Sequence, residues 1–268
     1  MKRPQFISML LLVMIYGVAL GAKFVAPADY AMQFREAPNS PPSERFLLGT
    51  DELGRDRLSR LFYGCQTSLL LAPAAAALST LLAAMIGTAA GYLGGWFEKF
   101  TMAGVDLFLS LPWLFLIITV RAVLPLDVAP SISVIVTFAI LGCLGWAASA
   151  RVVCAGVRNL RTSGFMLNAR ALGCQSWRLV AVQLAPNVKP VLWAQFLISI
   201  PVFVLAEANL SMLGLGVAEP LPSLGGLMRE LENFSGLSAQ PWRLAPLLVL
   251  FVCVSAFQAC TNGREANA

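Results

Sequence analysis

Two carboxylates stand in stretches otherwise built from apolar residues, Asp106 in VDLFLSLPWLFLIITV and Glu207 in PVFVLAEANLSM. A carboxylate in such surroundings can relay a proton, hold a cation, pair with an arginine or cap a broken helix. The first two uses are functional and the last two structural. The structural reading is the plainer one for both. Asp106 falls in the first turns of its expected helix, where acids are favoured, and Glu207 lies near a span end, before Ala208-Asn209-Leu210-Ser211. Histidine is absent from the chain. That removes a histidine general base, a Ser-His-Asp triad and the commonest zinc ligand together. Cys65, Cys143, Cys154, Cys174, Cys253 and Cys260 form no CxxC pair and read as small buried apolar residues. No GxGD motif accompanies a second aspartate within an apolar run. An intramembrane enzyme therefore has no constellation to work with.

A different kind of site is suggested by residues 151–190. They carry Arg151, Arg158, Arg161, Arg170, Arg178 and Lys189 and no acid. One-signed basic loops of this kind face the cytoplasm. Inside the loop, Asn168-Ala169-Arg170-Ala171-Leu172 joins helix formers to small residues that allow close approach of a partner. Gly173 can end that helix in the left-handed conformation, and Pro186-Asn187 precedes the next apolar run. The chemistry expected here is protein docking.

The elements that must carry these residues follow from composition. Of 268 residues 58% are hydrophobic and 12% charged, against about 25% charged in soluble domains. The chain reads as an all-α polytopic membrane bundle with about six spans, near residues 6–25, 68–92, 100–123, 131–150, 191–213 and 244–259. The first apolar run also fits a signal peptide, but an uncleaved span keeps an even number of helices and puts both termini inside. Residues 26–60 read as an external loop ending in a short amphipathic helix, GTDELGRDRLSRLFYG. Thr50 or Asp51 would cap it, and Leu53, Leu58, Leu61 and Phe62 would lie on the membrane interface. Pro73 falls in the first turns of the second span, and Gly87 and Gly91 form a GxxxG pair suited to close helix packing. Residues 214–243 form a second external segment with a short helix near 227–233. The natural division is 1–66, the first span with its external loop, and 67–268, a five-span core holding the 151–190 loop. The net charge of +5 suits anionic lipid and gives no reason to expect nucleic acid. No internal repeat supports a transporter built from inverted halves.

The stretch ALGCQSWRLVAVQLAPN resembles the EAA loop of ABC importer permeases, with Gly173, Pro186 and Asn187 at that loop's spacing. FLLGTDELGRDRLSRLFYG, containing Gly49, Thr50, Asp51, Leu53, Gly54, Arg55 and Asp56, is similar to the signature LGTDxLGRDxLSRLxYG of the C-type permeases of dipeptide, oligopeptide and nickel importers. IGTAAGYLGGWFEKFTMAGVDLFLSLP, AEANLSMLGLG and Pro222-Ser223 follow in the same order as in that branch. The resemblance covers most of the chain. It implies a type I ABC importer permease-like (MetI-like) core in a bacterial inner membrane, itself no enzyme and without cofactor, ATP being bound by partners. The implied partners are a second homologous permease, two cytoplasmic ATPases that receive the helix at 168–172, and an external solute-binding protein. Leu167 stands where the family has glutamate, Asn168 where it has its first alanine, and Ala185 where leucine is usual. The first change removes a charged contact from the docking surface. A free-standing secondary transporter or channel is the alternative, and it would have to rest its ion relay on Asp106 and Glu207 alone.

Overall fold

In the computed structural model, residues 3–123, 129–232 and 240–265 are described, with side chains over 6–123, 129–232 and 240–261. The helices in chain order are α1 (Arg3–Leu20), α2 (Ala22–Val25), α3 (Arg57–Leu93), α4 (Gly95–Ser110), α5 (Trp113–Val123), α6 (Pro130–Leu144), α7 (Trp146–Arg161), α8 (Gly164–Ala171), α9 (Ser176–Arg178), α10 (Ala185–Met212), α11 (Leu224–Met228) and α12 (Ala245–Glu265). Extended pairing among the described residues is limited to the isolated bridges Gln33 to Arg55 and Thr50 to Asp56. The all-α expectation holds.

Four rods are long and apolar enough to cross a bilayer: α3, the joined α6–α7 (Pro130–Arg161), the joined α9–α10 (Ser176–Met212) and Pro241–Thr261. The bent pair α4–α5 brings the number to five when its halves are counted as one span, and the shorter apolar Phe6–Leu20 lies in α1. The expected count of six is compatible with this set, but the third span is not one rod. Its halves meet at 82°. Pro112 cannot continue the helix, and Leu111 before it is pushed to an extended ψ of 132°.

α3 is the central post, packing against α7, α10, α6, α1 and α4. The external amphipathic helix expected before it does not exist as a separate element. Residues 49–56 form a folded loop, and Asp56, rather than Thr50 or Asp51, caps the helix, its Oδ2 accepting from the Ser59 N–H at 2.8 Å. From that cap the helix runs unbroken through the expected interface and past residue 66 to Leu93. Pro73 is therefore well inside the helix and not in its opening turns. Leu53 is exposed on the loop while Leu61 is core, so the expected interfacial stripe is divided.

The GxxxG pair works as the sequence suggests. A Cβ on Gly87 would stand 2.6 Å from the Ala150 carbonyl oxygen, and one on Gly91 would stand 2.7 Å from that of Cys154. With Ala76, Ser79, Ala83 and Ala90 also buried, this small-residue face lets the backbones of α3 and α7 approach closely. Gly145, between α6 and α7, leaves room for the Phe203 ring of α10. Before α10, residues Leu179–Leu184 widen into a π-helical turn. Pro186 lacks an N–H and crowds the preceding turn, and the wider turn accommodates both effects.

The expected basic loop is shorter than 151–190. Arg151, Arg158 and Arg161 continue α7, and Pro186 to Pro190 already belong to α10. The non-spanning connector reduces to α8 and its flanking turns. At the other end of the bundle, Leu224–Met228 is helical and Arg229–Glu232 forms a 3-10 turn, so the short helix begins earlier than expected. Asn233, at its expected end, lies outside the described residues.

Candidate functional site

The signature residues at 49–56 fold into a clasp. Gly49 (φ 69°) and Gly54 (φ 76°) take left-handed turns in which a Cβ would press on the Ser40 and Phe34 carbonyl oxygens. Thr50 Oγ1 donates to the Ala37 carbonyl at 2.5 Å and accepts from the Ser40 N–H at 2.9 Å. Asp51, 3% exposed, is the centre. Its Oδ1 accepts from the Leu53 and Arg55 N–H groups at 2.9 and 2.8 Å, and its Oδ2 from Arg55 Nε at 2.6 Å and Arg60 Nη1 at 2.5 Å. Both arginines reach on to Glu219, at 2.6 and 2.8 Å, and Arg57 pairs with Glu230. Loop 49–56, the first turn of α3 and the segment 219–230 are thereby tied into one charged clasp. It walls a polar cavity of about 790 Å³ that also takes in Arg229 and Arg243. Burial alone would raise the Asp51 pKa, but hydrogen bonds from the Arg55 backbone and side chain and the charges of Arg60 and Arg55 outweigh it and hold the carboxyl below its usual range.

Glu207 sits behind this clasp, wholly buried. Ser211 Oγ donates to its Oε1 at 2.6 Å, and Ser68 Oγ of α3 donates to Oε2 at 3.1 Å while accepting the Leu224 N–H at 3.0 Å. Glu207 therefore staples α10, α3 and α11 through serines, where the sequence led us to expect an arginine partner or the cap of a broken helix.

Asp106 differs from its expectation. It stands in the fourth turn of α4 instead of the first, because α4 begins at Gly95, and it is exposed and paired with Arg151 of α7. A turn or two nearer the α8 end, Glu98 pairs with Arg158 at 3.2 Å, and on the other side Phe108 and Trp146 stack with centroids 5.7 Å apart. Asp106 and Glu207 have no partner in common, so the two do not form a relay.

At the opposite end from the clasp, α8 is pinned by its inner face. Met166 and Ala169 are buried with Leu179 against Tyr92 at the end of α3, and Arg170 lies over the Tyr92 ring at 5.7 Å. Arg161 Nη1 donates to the Tyr92 carbonyl at 3.3 Å. α8 ends as expected at Gly173 (φ 77°). The Gly173 N–H bonds the Arg170 carbonyl and the Cys174 N–H that of Ala169, both reaching back over the last turn. Phe165, Leu167, Asn168, Ala171 and Leu172 face outward, Leu172 being 84% exposed. Pro186 and Asn187 are exposed on the first turn of α10, where Asn187 Nδ2 donates to the Gln183 carbonyl at 2.7 Å. Tyr92, Arg57, Arg60, Glu219, Glu230 and Ser68 were not singled out from sequence. Arg57 and Arg60 could have been, since they share the signature's helical spacing. The two glutamates lie about 160 residues away, with no local pattern to mark them.

Between the ends, the elbow of α4 and α5 opens an apolar chamber of about 500 Å³, lined among others by Trp113, Leu116, Ser149, Gln195, Ser199 and Phe203.

Apolar rods closed by a small-residue interface, with a charged clasp at one end and a pinned helix at the other, define a multi-span membrane protein. Residues 83–263 match the family described as binding-protein-dependent transport system inner membrane component, and the chain belongs to that family. Among its relatives, the di/tripeptide transport system permease protein of Pseudomonas aeruginosa is 33% identical over 267 residues, spanning 97% of this chain and 86% of the relative. The oligopeptide transport system permease protein of Mycobacterium tuberculosis is 32% identical over 258 residues (95% and 87%), and the dipeptide transport system permease protein of Bacillus subtilis 29% over 260 (96% and 79%). The chain is thus a C-type permease subunit of an ABC importer in the inner membrane, a transport component and not an enzyme. Permeases of this family work with ATPase and substrate-binding partners.

Proposed function

We propose that this permease forms half of a translocation path for peptides, and that α8 is the element through which cytoplasmic ATPases drive it. The observation that carries the reading is the double character of α8. Its inner face is locked through Met166 and Ala169 to Tyr92 of α3 and to Leu179 of the π-helical turn before α10, while its outer side chains Phe165, Leu167, Asn168, Ala171 and Leu172 are exposed. A push on that outer face reaches α3 and the rod leading into α10 through this packing. Such a two-state bundle needs a partner with different affinities for its states, which nucleotide-bound and nucleotide-free ATPases supply. On this reading the α8 end and both termini are cytoplasmic, a homologous permease completes the path, and two ATPases bind the ATP that this chain does not.

The clasp at residues 49–60 and 219–230 would face the external binding protein. Peptides are preferred over nickel as cargo because the relatives described above are named for di-, tri- and oligopeptides. Leu167, 53% exposed where the family has glutamate, makes the docking surface more apolar, so contact would rest on Leu167, Leu172 and Phe165 with Arg170 at the edge. Uptake of a labelled tripeptide into cells tests the proposal. Deleting this chain or its ATPase partners is expected to abolish uptake equally. Uptake that persists without the ATPases would favour a free-standing transporter.

A further inference from the structure

Of the two ion pairs between α4 and α7, Asp106–Arg151 stands inside the apolar layer. At ~1.5 Å per residue Asp106 stands about 15 Å along α4 from Trp96. Gly87 of α3 meets Ala150 and Val153, on either side of Arg151, and stands about 8 Å along α3 from Tyr92. Tyr92 and Trp96 mark the aromatic band expected at a membrane interface. The Asp106–Arg151 pair is therefore about 8–15 Å inside a hydrocarbon layer about 30 Å thick. Yet the two side chains are 63% and 53% exposed. Charges at that depth face a bundle interior or a water-filled cavity.

The helix itself separates the two environments. On α4 the exposed apolar residues Trp96, Phe100 and Leu107 recur at helical spacing along one stripe, and Glu98, Met102 and Asp106 form another, roughly opposite. The charged stripe lines a recess of about 270 Å³ with Arg151, Cys154 and Arg158 of α7. One turn further along both helices begins the apolar chamber under the elbow. Recess and chamber succeed each other on the same two helices, giving a groove with an acid and a base at its waist and apolar walls beyond.

We propose that this groove is the wall of the translocation path, and that Asp106 and Arg151 are its binding residues for the charged termini of a passing peptide. The inference rests on the peptide-importer reading above. A free peptide carries an ammonium and a carboxylate, the complements of Asp106 and Arg151, and an arginine can take a carboxylate in two parallel hydrogen bonds. In the empty path the two side chains neutralise each other. When peptide enters, each exchanges its partner for a terminus, and side chains of the cargo fill the apolar chamber.

The test uses the complete importer, purified with its partner subunits, in which this chain has its six cysteines replaced and carries either Met102→Cys in the groove or Leu107→Cys on the opposite stripe. A membrane-impermeant sulfonated thiol reagent is expected to label Met102→Cys faster than Leu107→Cys, on the order of tenfold, since only a water-exposed thiolate reacts. Tri-alanine should slow that labelling, and the N-acetylated, C-amidated tripeptide should need about tenfold more to do so. Adding Asp106→Asn and Arg151→Gln should abolish the difference between the two peptides and leave labelling without peptide unchanged, which confirms that the variant is folded. Labelling of Met102→Cys as slow as that of Leu107→Cys overturns the proposal, because the groove is then closed by lipid or by the second permease. Equal protection by both peptides in a complex that takes up tri-alanine also overturns it. A complex that takes up no peptide fails at the cargo assignment instead, and the uptake assay reads that failure separately.

Discussion

Asp51 accepts four hydrogen bonds and two guanidinium charges in a space almost closed to water. Removing it would leave Arg55 and Arg60 buried and short of a counter-charge. Asp51→Asn is expected to destabilise the clasp by about 3–5 kcal/mol, the scale seen when one partner of a buried pair is lost. Its acid response has a definite sign. The folded-state pKa lies below the usual value near ~3.9, so the contribution is complete above that value and is lost as pH falls through the folded-state one. Limited proteolysis of residues 33–56 should therefore show the natural chain opening only in acid below about pH 4, and Asp51→Asn opening at neutral pH too. Ser68 belongs to the same scale. Its hydroxyl bridges Glu207 and the Leu224 N–H, and Ser68→Ala is expected to cost about 1–3 kcal/mol in detergent unfolding, since it leaves both groups short of a partner.

Among the elements, α3 and α7 meet through glycine. Enlarging Gly87 or Gly91 forces a side chain into the Ala150 or Cys154 carbonyl, a backbone contact that cannot swing aside. Gly91→Val is expected to lower the thermal midpoint by the equivalent of at least about 1–3 kcal/mol, and Gly104→Ala, whose Cβ meets nothing within 4 Å, by less. The α8 element depends on Tyr92. Tyr92→Ala removes the ring that Met166, Leu179 and Arg170 share, and it is expected to leave the bundle folded while lowering peptide uptake more than ATP hydrolysis. Parallel assays of the two rates in reconstituted vesicles measure that divergence.

For the whole molecule, the all-helical class, the order of spans and the Gly173 stop of α8 could be read from the chain, because hydropathy and glycine conformation are local properties. Three features could not. The third span bends at Pro112, but a proline within a membrane helix does not reveal the angle at which its neighbours will hold it. The signature 49–56 looks like an amphipathic helix by spacing, yet its glycines are used in positive-φ turns and its charges are consumed by Glu219 and Glu230, which arrive from another segment. Arg151 reads as a loop charge until α7 is seen to continue past it, carrying it to the side of Asp106. In each case distant residues decided what a local pattern would become.

α8 is the proposed meeting point of this permease and its ATPases, and a single crosslink addresses that directly. Asn168, outward on α8, is replaced by cysteine in a chain otherwise free of cysteine, and the assembled importer is treated with a short bifunctional thiol reagent. The expected result is a crosslink from Asn168→Cys to an ATPase subunit whose yield changes when a non-hydrolysable nucleotide is added. An assembled, ATP-hydrolysing complex that gives no such crosslink would contradict the account.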